Sequence, residues 1–536
     1  MKLRLVSLAW FAVAGCACGV EKSTPVADAT TSADTVAAID TDSGADTGAA
    51  SVDAASVDAA GLSVQFPKGF LWGGAIAGFQ CDMGCPTLAA AECEDTKSDW
   101  YQWVTDPVLV KDPATFNKGD PPSEGPGFWE TWPKYMDAMQ ADMHLNALRT
   151  SIEWSRIFPH ADAEKATTVA ELDKYADAKA VAKYHQTFQG AIKRKIALLV
   201  TLNHYTLPLW IHDGKACHLD IDTCKNRGWV DKARMLKAIA LYSGWCAKEF
   251  GGEVDLWGTI NEPFAIVVPG YLLPTKERTN PPGLTLQADM AVGVLFALME
   301  GHARMYDAVH ANDKQDADGD GKAAQVGIVA NLAAVTPADP KDPASVAVTP
   351  HADYVYNKVF LNAVIHGDVD ENLDGEITAN EKRPDMKARM DYIGIKYYTQ
   401  LKVKAQAVPL FPQYKLLDFL PDSNLFSNYP AGLYEVCKLA ATYKLPMIIT
   451  ENGTADDKSK SFEGFLKPHL AALHKAIGEG ADVRGYFYWS LMDNYEWNHG
   501  LYAIRMGLYD VDNKTKAFTL SGLGKGYGTV AAKNGW

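Results

Sequence analysis

From residue 66 onward the chain alternates between short apolar runs and longer stretches of helical periodicity. Eight runs stand out, at 70–75, 146–152, 197–202, 255–260, 325–330, 392–395, 446–450 and 485–489. Uninterrupted apolar runs of this length, several of them rich in β-branched residues, read as strands buried on both faces. The intervals include amphipathic stretches such as 235–250 and 288–310, spaced like helices that cover a core on one side. Strands alternating with helices imply a parallel sheet. Eight such units predict an α/β fold, a single large (β/α)8 TIM barrel with long loops over 63–536. Such a barrel keeps its chemistry at the C-terminal tips of its strands.

Two of these tips carry a carboxylate. Leu445-Pro446-Met447-Ile448-Ile449 runs into Thr450-Glu451-Asn452-Gly453, and Val254-Asp255-Leu256-Trp257-Gly258-Thr259-Ile260 runs into Asn261-Glu262-Pro263. One glutamate at a turn is commonly a surface residue. Two at strand tips of one barrel are what cleavage of a glycosidic bond requires: one protonated to donate to the leaving oxygen, one ionised to attack or to activate water. The two are far apart in sequence, so only barrel closure can join them.

With these motifs the chain resembles glycoside hydrolase family 1, the β-glucosidase and β-galactosidase family, from residue 66 to about 512. The likeness begins at Phe66-Pro67-Lys68-Gly69-Phe70-Leu71-Trp72-Gly73. It includes Ile152-Glu153-Trp154-Ser155-Arg156-Ile157-Phe158-Pro159, which looks like the archaeal-type branch. The resemblance implies a retaining, exo-acting β-glycosidase with Glu451 as nucleophile and Glu262 as acid/base. It sets Arg149 and Tyr398 beside the nucleophile, where a cation holds a carboxylate ionised. It assigns sugar binding to Gln80, His204, Asn261, Trp489, Glu496 and Trp497. An acid at 496 would repel phosphate, so the implied substrate is an unphosphorylated β-glycoside or oligosaccharide. The chain departs from the family pattern at three positions. Asn203 and Tyr205 flank His204 where the family has Tyr and Trp, and Lys396 precedes Tyr397-Tyr398 where it has Asn. An ammonium there would depress a carboxylate pKa or pair with an added acid. The segment 81–132, with Ser98-Asp99-Trp100-Tyr101-Gln102-Trp103, is longer than in most bacterial relatives; its aromatics wall the entrance or cover a barrel end. Two other activities share these residues: transglycosylation, and calcium-dependent sugar binding without catalysis.

Positions 370–381 fit a calcium loop of the EF-hand type, with Asp370, Asn372 and Asp374 at its first, third and fifth places, then Gly375, Glu376 and a closing Glu381. The stretch is a structural Ca2+ site or an acidic surface loop. Asp316-Ala317-Asp318-Gly319-Asp320-Gly321 has only the first half of the pattern, with Gly327 where the closing acid would stand. No organic cofactor is expected, since neither a P-loop nor a dinucleotide fingerprint occurs.

Composition adds compartment and partners. A chain of 536 residues with 22% charged residues is globular in character, and a net charge of −15 argues against a nucleic-acid partner. Lys2 and Arg4 precede an apolar run at 5–14, and Val13-Ala14-Gly15-Cys16 resembles the lipobox of bacterial lipoproteins. Residues 1–18 then form a signal peptide with Cys16 lipidated, or an ordinary secretory signal; Ala17 favours outer-membrane sorting. Residues 19–62, mainly Ala, Asp, Ser and Thr, read as a flexible acidic tether. The expected protein is exported and meets the membrane only through its lipid; the sequence sets no oligomeric state. Beyond the tether lie Cys81, Cys85, Cys93, Cys217, Cys224, Cys246 and Cys437. Cys217 and Cys224 bracket a short polar loop and are expected to pair; Cys81, Cys85 and Cys93 could supply a second disulfide, and an odd number leaves at least one thiol.

Overall fold

The computed structural model describes residues 63–407, 411–415, 418–421, 426–455 and 457–536. The segments read as signal peptide and tether, with Cys16, lie outside the described residues.

Eight parallel strands close a barrel: β1 (Leu71–Ala75), β2 (Ala147–Ser151), β3 (Ala197–Asn203), β4 (Leu256–Asn261), β5 (Gln325–Asn331), β6 (Tyr392–Lys396), β7 (Met447–Asn452) and β8 (Val483–Trp489). Each apolar run holds one strand, with ends shifted by no more than two residues. Sequence neighbours are spatial neighbours, and β8 closes on β1 with Phe487 opposite Gly73. A helix follows each strand: α1 (Phe128–Met143), α2 (Ala178–Lys193), α3 (Lys232–Phe250), α4 (Ala288–Asn312), α5 (Val359–His366), α6 (Pro430–Ala441), α7 (Lys467–Gly478) and α8 (Gly522–Lys533).

The core has two layers. Leu199, Tyr392, Ile448, Phe487 and Trp489 fill the barrel interior, while Trp257, Leu298, Ile393 and Leu470 belong to the larger cluster between strands and helices. A strand buried on both faces has no polar side to show, so it reads as a run rather than an alternation.

The ladder becomes irregular at the tips that matter. Register shifts fall between Gly258 and Asn261 on β4 and between Ile449 and Glu451 on β7. Such breaks re-aim side chains; one ends on Glu451 and the other on Asn261, the residue before Glu262. Cys217 and Cys224 form a disulfide. Of the other three candidates Cys85 pairs with Cys93, and Cys81 remains a buried thiol, as do Cys246 and Cys437.

Candidate active site

Glu451 is the penultimate residue of β7 and is 1% exposed. The glycine two residues on has a steric reason: a Cβ at Gly453 would run into the Trp489 carbonyl of β8. Asn452 is structural, donating to the Tyr397 carbonyl and accepting from the Tyr486 hydroxyl, both at 2.7 Å. Glu262 follows β4 with φ +44, its N–H donating to the Val329 carbonyl at 2.8 Å. That left-handed backbone is costly for a residue with a side chain. It is held by the β5 strand on one side and by the helix Pro263–Val267 that begins at once on the other.

The barrel brings the predicted residues into one network. The Arg149 guanidinium, fully buried on β2, donates to Glu451 Oε1 and to Asn261 Oδ1 at 2.8 Å, with its Nε on Thr201 Oγ1 at 3.1 Å. The Tyr398 hydroxyl donates to Glu451 Oε2 at 2.8 Å. Lys396, at the end of β6, joins the two glutamates: its Nζ lies 2.7 Å from Glu451 Oε2 and 2.9 Å from Glu262 Oε2. Asn261 is thus oriented by Arg149, and its amide donates to His204 Nε2 at 3.1 Å. That bond leaves the histidine proton on Nδ1, which is buried without a partner.

The opposite wall is aromatic. Trp497 stacks on Phe79 with centroids 5.8 Å apart and lies 5.8 Å from the His204 ring. Trp100 packs 4.5 Å from Trp497, so an aromatic of the long 81–132 segment buttresses this wall from behind. Trp489, at the tip of β8, lies 5.9 Å from the His204 ring. The Gln80 amide donates to Glu496 Oε2 at 3.2 Å and to the Tyr495 carbonyl at 2.8 Å. Of the two departures beside His204, Asn203 turns its amide to the Thr206 carbonyl at 3.0 Å, while Tyr205 packs 4.8 Å from Trp497 with its buried hydroxyl unpartnered.

Sequence reasoning missed Arg278. Its guanidinium lies 3.6 Å from Glu496 Oε1 and 5.0 Å from both the Tyr205 and Trp497 rings. The residue sits in an irregular stretch after β4 with no motif or periodicity, so nothing in the sequence marked it. Several buried polar atoms around the site have no partner: Gln80 Oε1, His204 Nδ1, Tyr205 Oη and Arg278 Nε. Donors and acceptors left open in one place suit a ligand rich in hydroxyls.

The charges are arranged for the two-carboxylate task. Burial pushes the Glu451 carboxyl up, but the Lys396 ammonium and the Arg149 guanidinium overcome it and hold the group below the usual carboxylate range. Burial and the Glu451 charge drive Tyr398 well above the usual phenol range, so it stays a donor. Burial, with Arg149, Lys396 and Arg278 adding to it, keeps the His204 imidazole neutral. Burial lifts Glu496 to about 7, against the nearby Arg278 and Lys396 cations.

The 370–381 loop wraps its own acids. The buried Asp370 accepts from the Gly375 N–H at 2.7 Å and from the Tyr354 hydroxyl at 2.8 Å. Gly375 takes φ +85, a turn that glycine alone makes without strain. Asn372 and Asp374 cap neighbouring N–H groups, including that of Glu376. Glu381 faces the N–H groups of Glu371 and Thr378, at 2.9 and 2.8 Å, rather than the other loop acids. In the partial loop, Asp316 and Asp318 converge with the buried Asp255 of the β4 approach, a partner the linear pattern did not include.

A closed (β/α)8 barrel with paired carboxylates, a buried arginine and an aromatic wall defines the class of barrel glycosidases. The sequence pattern of Glycosyl hydrolase family 1 matches residues 62–536, and the chain belongs to that family. A beta-galactosidase of Pyrococcus woesei is 33% identical over 492 residues, 84% of this chain and 94% of that protein. A beta-galactosidase of Saccharolobus solfataricus is 33% identical over 481 residues, 84% of this chain and 92% of that protein. The crystal structure of a beta-glycosidase from Thermosphaera aggregans superposes with a TM-score of 0.74 at 27% identity, covering 88% of this chain and 97% of that one. These relatives bear out the archaeal-type likeness. The protein is a glycoside hydrolase, a β-glycosidase of family 1.

Proposed function

We propose that the protein is a retaining, exo-acting β-glycosidase for unphosphorylated sugars. The observation that carries this is the Lys396 bridge. Glu262 Oε2 and Glu451 Oε2 cannot lie farther apart than the two Nζ distances together, 2.9 and 2.7 Å. That limit is short of the roughly 6.5–9.5 Å an inverting pair needs to house water, and suits the roughly 5–5.5 Å of a retaining one. In the first step a Glu451 oxygen attacks the anomeric carbon. The bond to the leaving oxygen breaks, and the Glu262 proton goes to that oxygen. In the second step water loses a proton to Glu262 and attacks the same carbon, and the Glu451 ester bond breaks. His204 Nδ1–H and Gln80 Oε1 are open to sugar hydroxyls, and Glu496 faces the outer ones. Glu496 disfavours phosphate, and the Arg278 guanidinium 3.6 Å away offsets part of its charge.

The test is hydrolysis of 4-nitrophenyl β-glucoside, β-galactoside, β-mannoside and β-fucoside by the full chain, with the first-formed product read by proton NMR. Turnover giving the β-anomer first, abolished in Glu451→Gln, is the expected result. The α-anomer first would end the retaining reading, and equal rates for wild type and variant would end the catalytic one.

We also infer export with a lipid on Cys16, supported by the lipobox-like Val13-Ala14-Gly15-Cys16; mass spectrometry of the N-terminal peptide would find a diacylglyceryl cysteine. A structural Ca2+ in the 370–381 loop is supported by the spacing of its oxygens and by the turn at Gly375, and would require Glu381 to swing inward from its backbone partners.

A further inference from the structure

We propose that Lys396 sets the pH window of the catalytic pair: by bridging Glu262 and Glu451 it favours the state in which both are ionised, and so draws the alkaline limb of activity toward acid pH. The inference rests on the glycosidase reading of the site. One ammonium, 4% exposed, serves two carboxylates at 2.9 and 2.7 Å, yet the first chemical step needs them in different protonation states. A proton arriving on Glu262 removes the charge that holds half of the Lys396 contact. In the second step the balance reverses. Once Glu451 is an ester its charge is gone, and the ammonium is left with Glu262 alone, favouring the ionised form that takes the proton from water. Lys396 therefore supports the base role of Glu262 and opposes its acid role.

Lys396 is the cation in direct contact with Glu262. Lys396 faces the Tyr398 ring at 5.5 Å and the Trp489 ring at 5.9 Å. Its neighbour across the β5 ladder is Asn331, which carries no charge. Arg149 of β2 is engaged on Glu451, Asn261 and Thr201. His204 is neutral, Arg278 faces Glu496 most closely and both catalytic glutamates at longer range, and Tyr356, an uncharged phenol, faces Glu262. With Asn at 396 the site would hold Glu262, Glu451 and Glu496 against only Arg149 and Arg278. Lys396 touches the two catalytic carboxylates and acts through them, so it is a positioning residue whose effect is electrostatic.

The experiment compares full-chain wild type, Lys396→Asn and Lys396→Arg. The pH profile of kcat/KM on a glycoside with a poor leaving group reports the acid of the free enzyme. An opposite charge at this range moves a carboxyl by about 1–3 units, so the alkaline limb of Lys396→Asn should lie about 1–3 pH units above that of wild type, while Lys396→Arg keeps the wild-type limb. A second readout is inactivation by a 2,4-dinitrophenyl 2-deoxy-2-fluoro-β-glycoside, whose leaving group needs no proton. Its acid limb reports Glu451 and should also move up in Lys396→Asn. Superimposable profiles, with a change in amplitude alone, would overturn the proposal and leave Lys396 a structural residue. A wild type that neither turns over nor labels at Glu451 would instead overturn the glycosidase reading on which it stands.

Discussion

Around Glu451 three donors share two oxygens. Arg149 takes Oε1, while Tyr398 and Lys396 share Oε2. Hydrogen bonds to a charged acceptor contribute about 1.5–3 kcal/mol, so Tyr398→Phe is expected to lower kcat/KM about 10- to 100-fold with the fold intact by circular dichroism. A variant with wild-type kinetics would mean that the hydroxyl does not steer the nucleophile. Glu262→Gln should lose about 10²- to 10⁴-fold on a poor leaving group and much less on 2,4-dinitrophenyl glycosides, which leave unprotonated. Comparing the two substrates separates acid catalysis from general damage. At this scale the sequence was informative wherever a residue sits inside a strand-tip motif, as Glu262, Glu451, Asn261 and Tyr398 do. It was silent where the residue reaches the site from an irregular loop. Arg278 meets Glu496 through tertiary closure alone, and no local pattern foretells that. For Lys396 the sequence posed the question of which acid an ammonium would pair with. Only the barrel geometry answers that it pairs with both.

The eight strands were legible because β1 to β8 are buried on both faces, so each appears as an apolar run. The tips were less so. A register shift depends on the neighbouring strand, and the shift between Ile449 and Glu451 on β7 is defined against β6. The 370–381 loop tests what a motif means once it is folded. Its internal bonds, from Gly375 and Tyr354 to Asp370 and from Thr378 to Glu381, could hold it without an ion. If Ca2+ binds, it adds about 2.7 kcal/mol of stability at a hundredfold excess over its dissociation constant. Wild type should then unfold at a higher temperature in calcium than in chelator, with the increment gone in Asp370→Asn. Equal unfolding temperatures in wild type would make the loop an acidic turn closed by its own bonds. The Asp255–Asp316–Asp318 cluster is a rival source of any calcium effect, and the Asp370→Asn comparison separates the two.

Across the whole molecule, buried carboxyls and buried histidines pull stability in opposite directions with pH. Burial lifts Asp82 to about 8, with Glu153 and Asp95 adding to it against Arg156. Burial also lifts Glu153, Glu496 and Asp255 to about 7. These groups bind protons more tightly folded than unfolded. Their contribution is complete below the ordinary carboxylate range near 4 and is lost as pH rises through about 7 to 8. Burial lowers His302 and His469 to about 4 and His204 further below its ordinary value. The unfolded chain holds those protons more tightly, so the histidines cost stability as pH falls below about 6.5. Glu451, held below the usual range, adds stability that is lost only at still lower pH. Between about pH 4.5 and 6.5 the raised carboxyls and the lowered histidines offset one another. Above 6.5 the lowered histidines no longer titrate, while the raised carboxyls still do, joined by His185 and His351, which, against burial, their carboxylate partners hold above the ordinary value. The unfolding temperature should therefore be nearly level from about pH 5 to 6.5 and fall from 6.5 to 8. In Asp82→Asn the fall should be shallower. A temperature that climbs between pH 6.5 and 8 would refute the assignment. Activity lost through the catalytic pair precedes unfolding as pH rises, whereas an alkaline limb that tracks the unfolding temperature would assign the loss to the raised carboxyls behind the site.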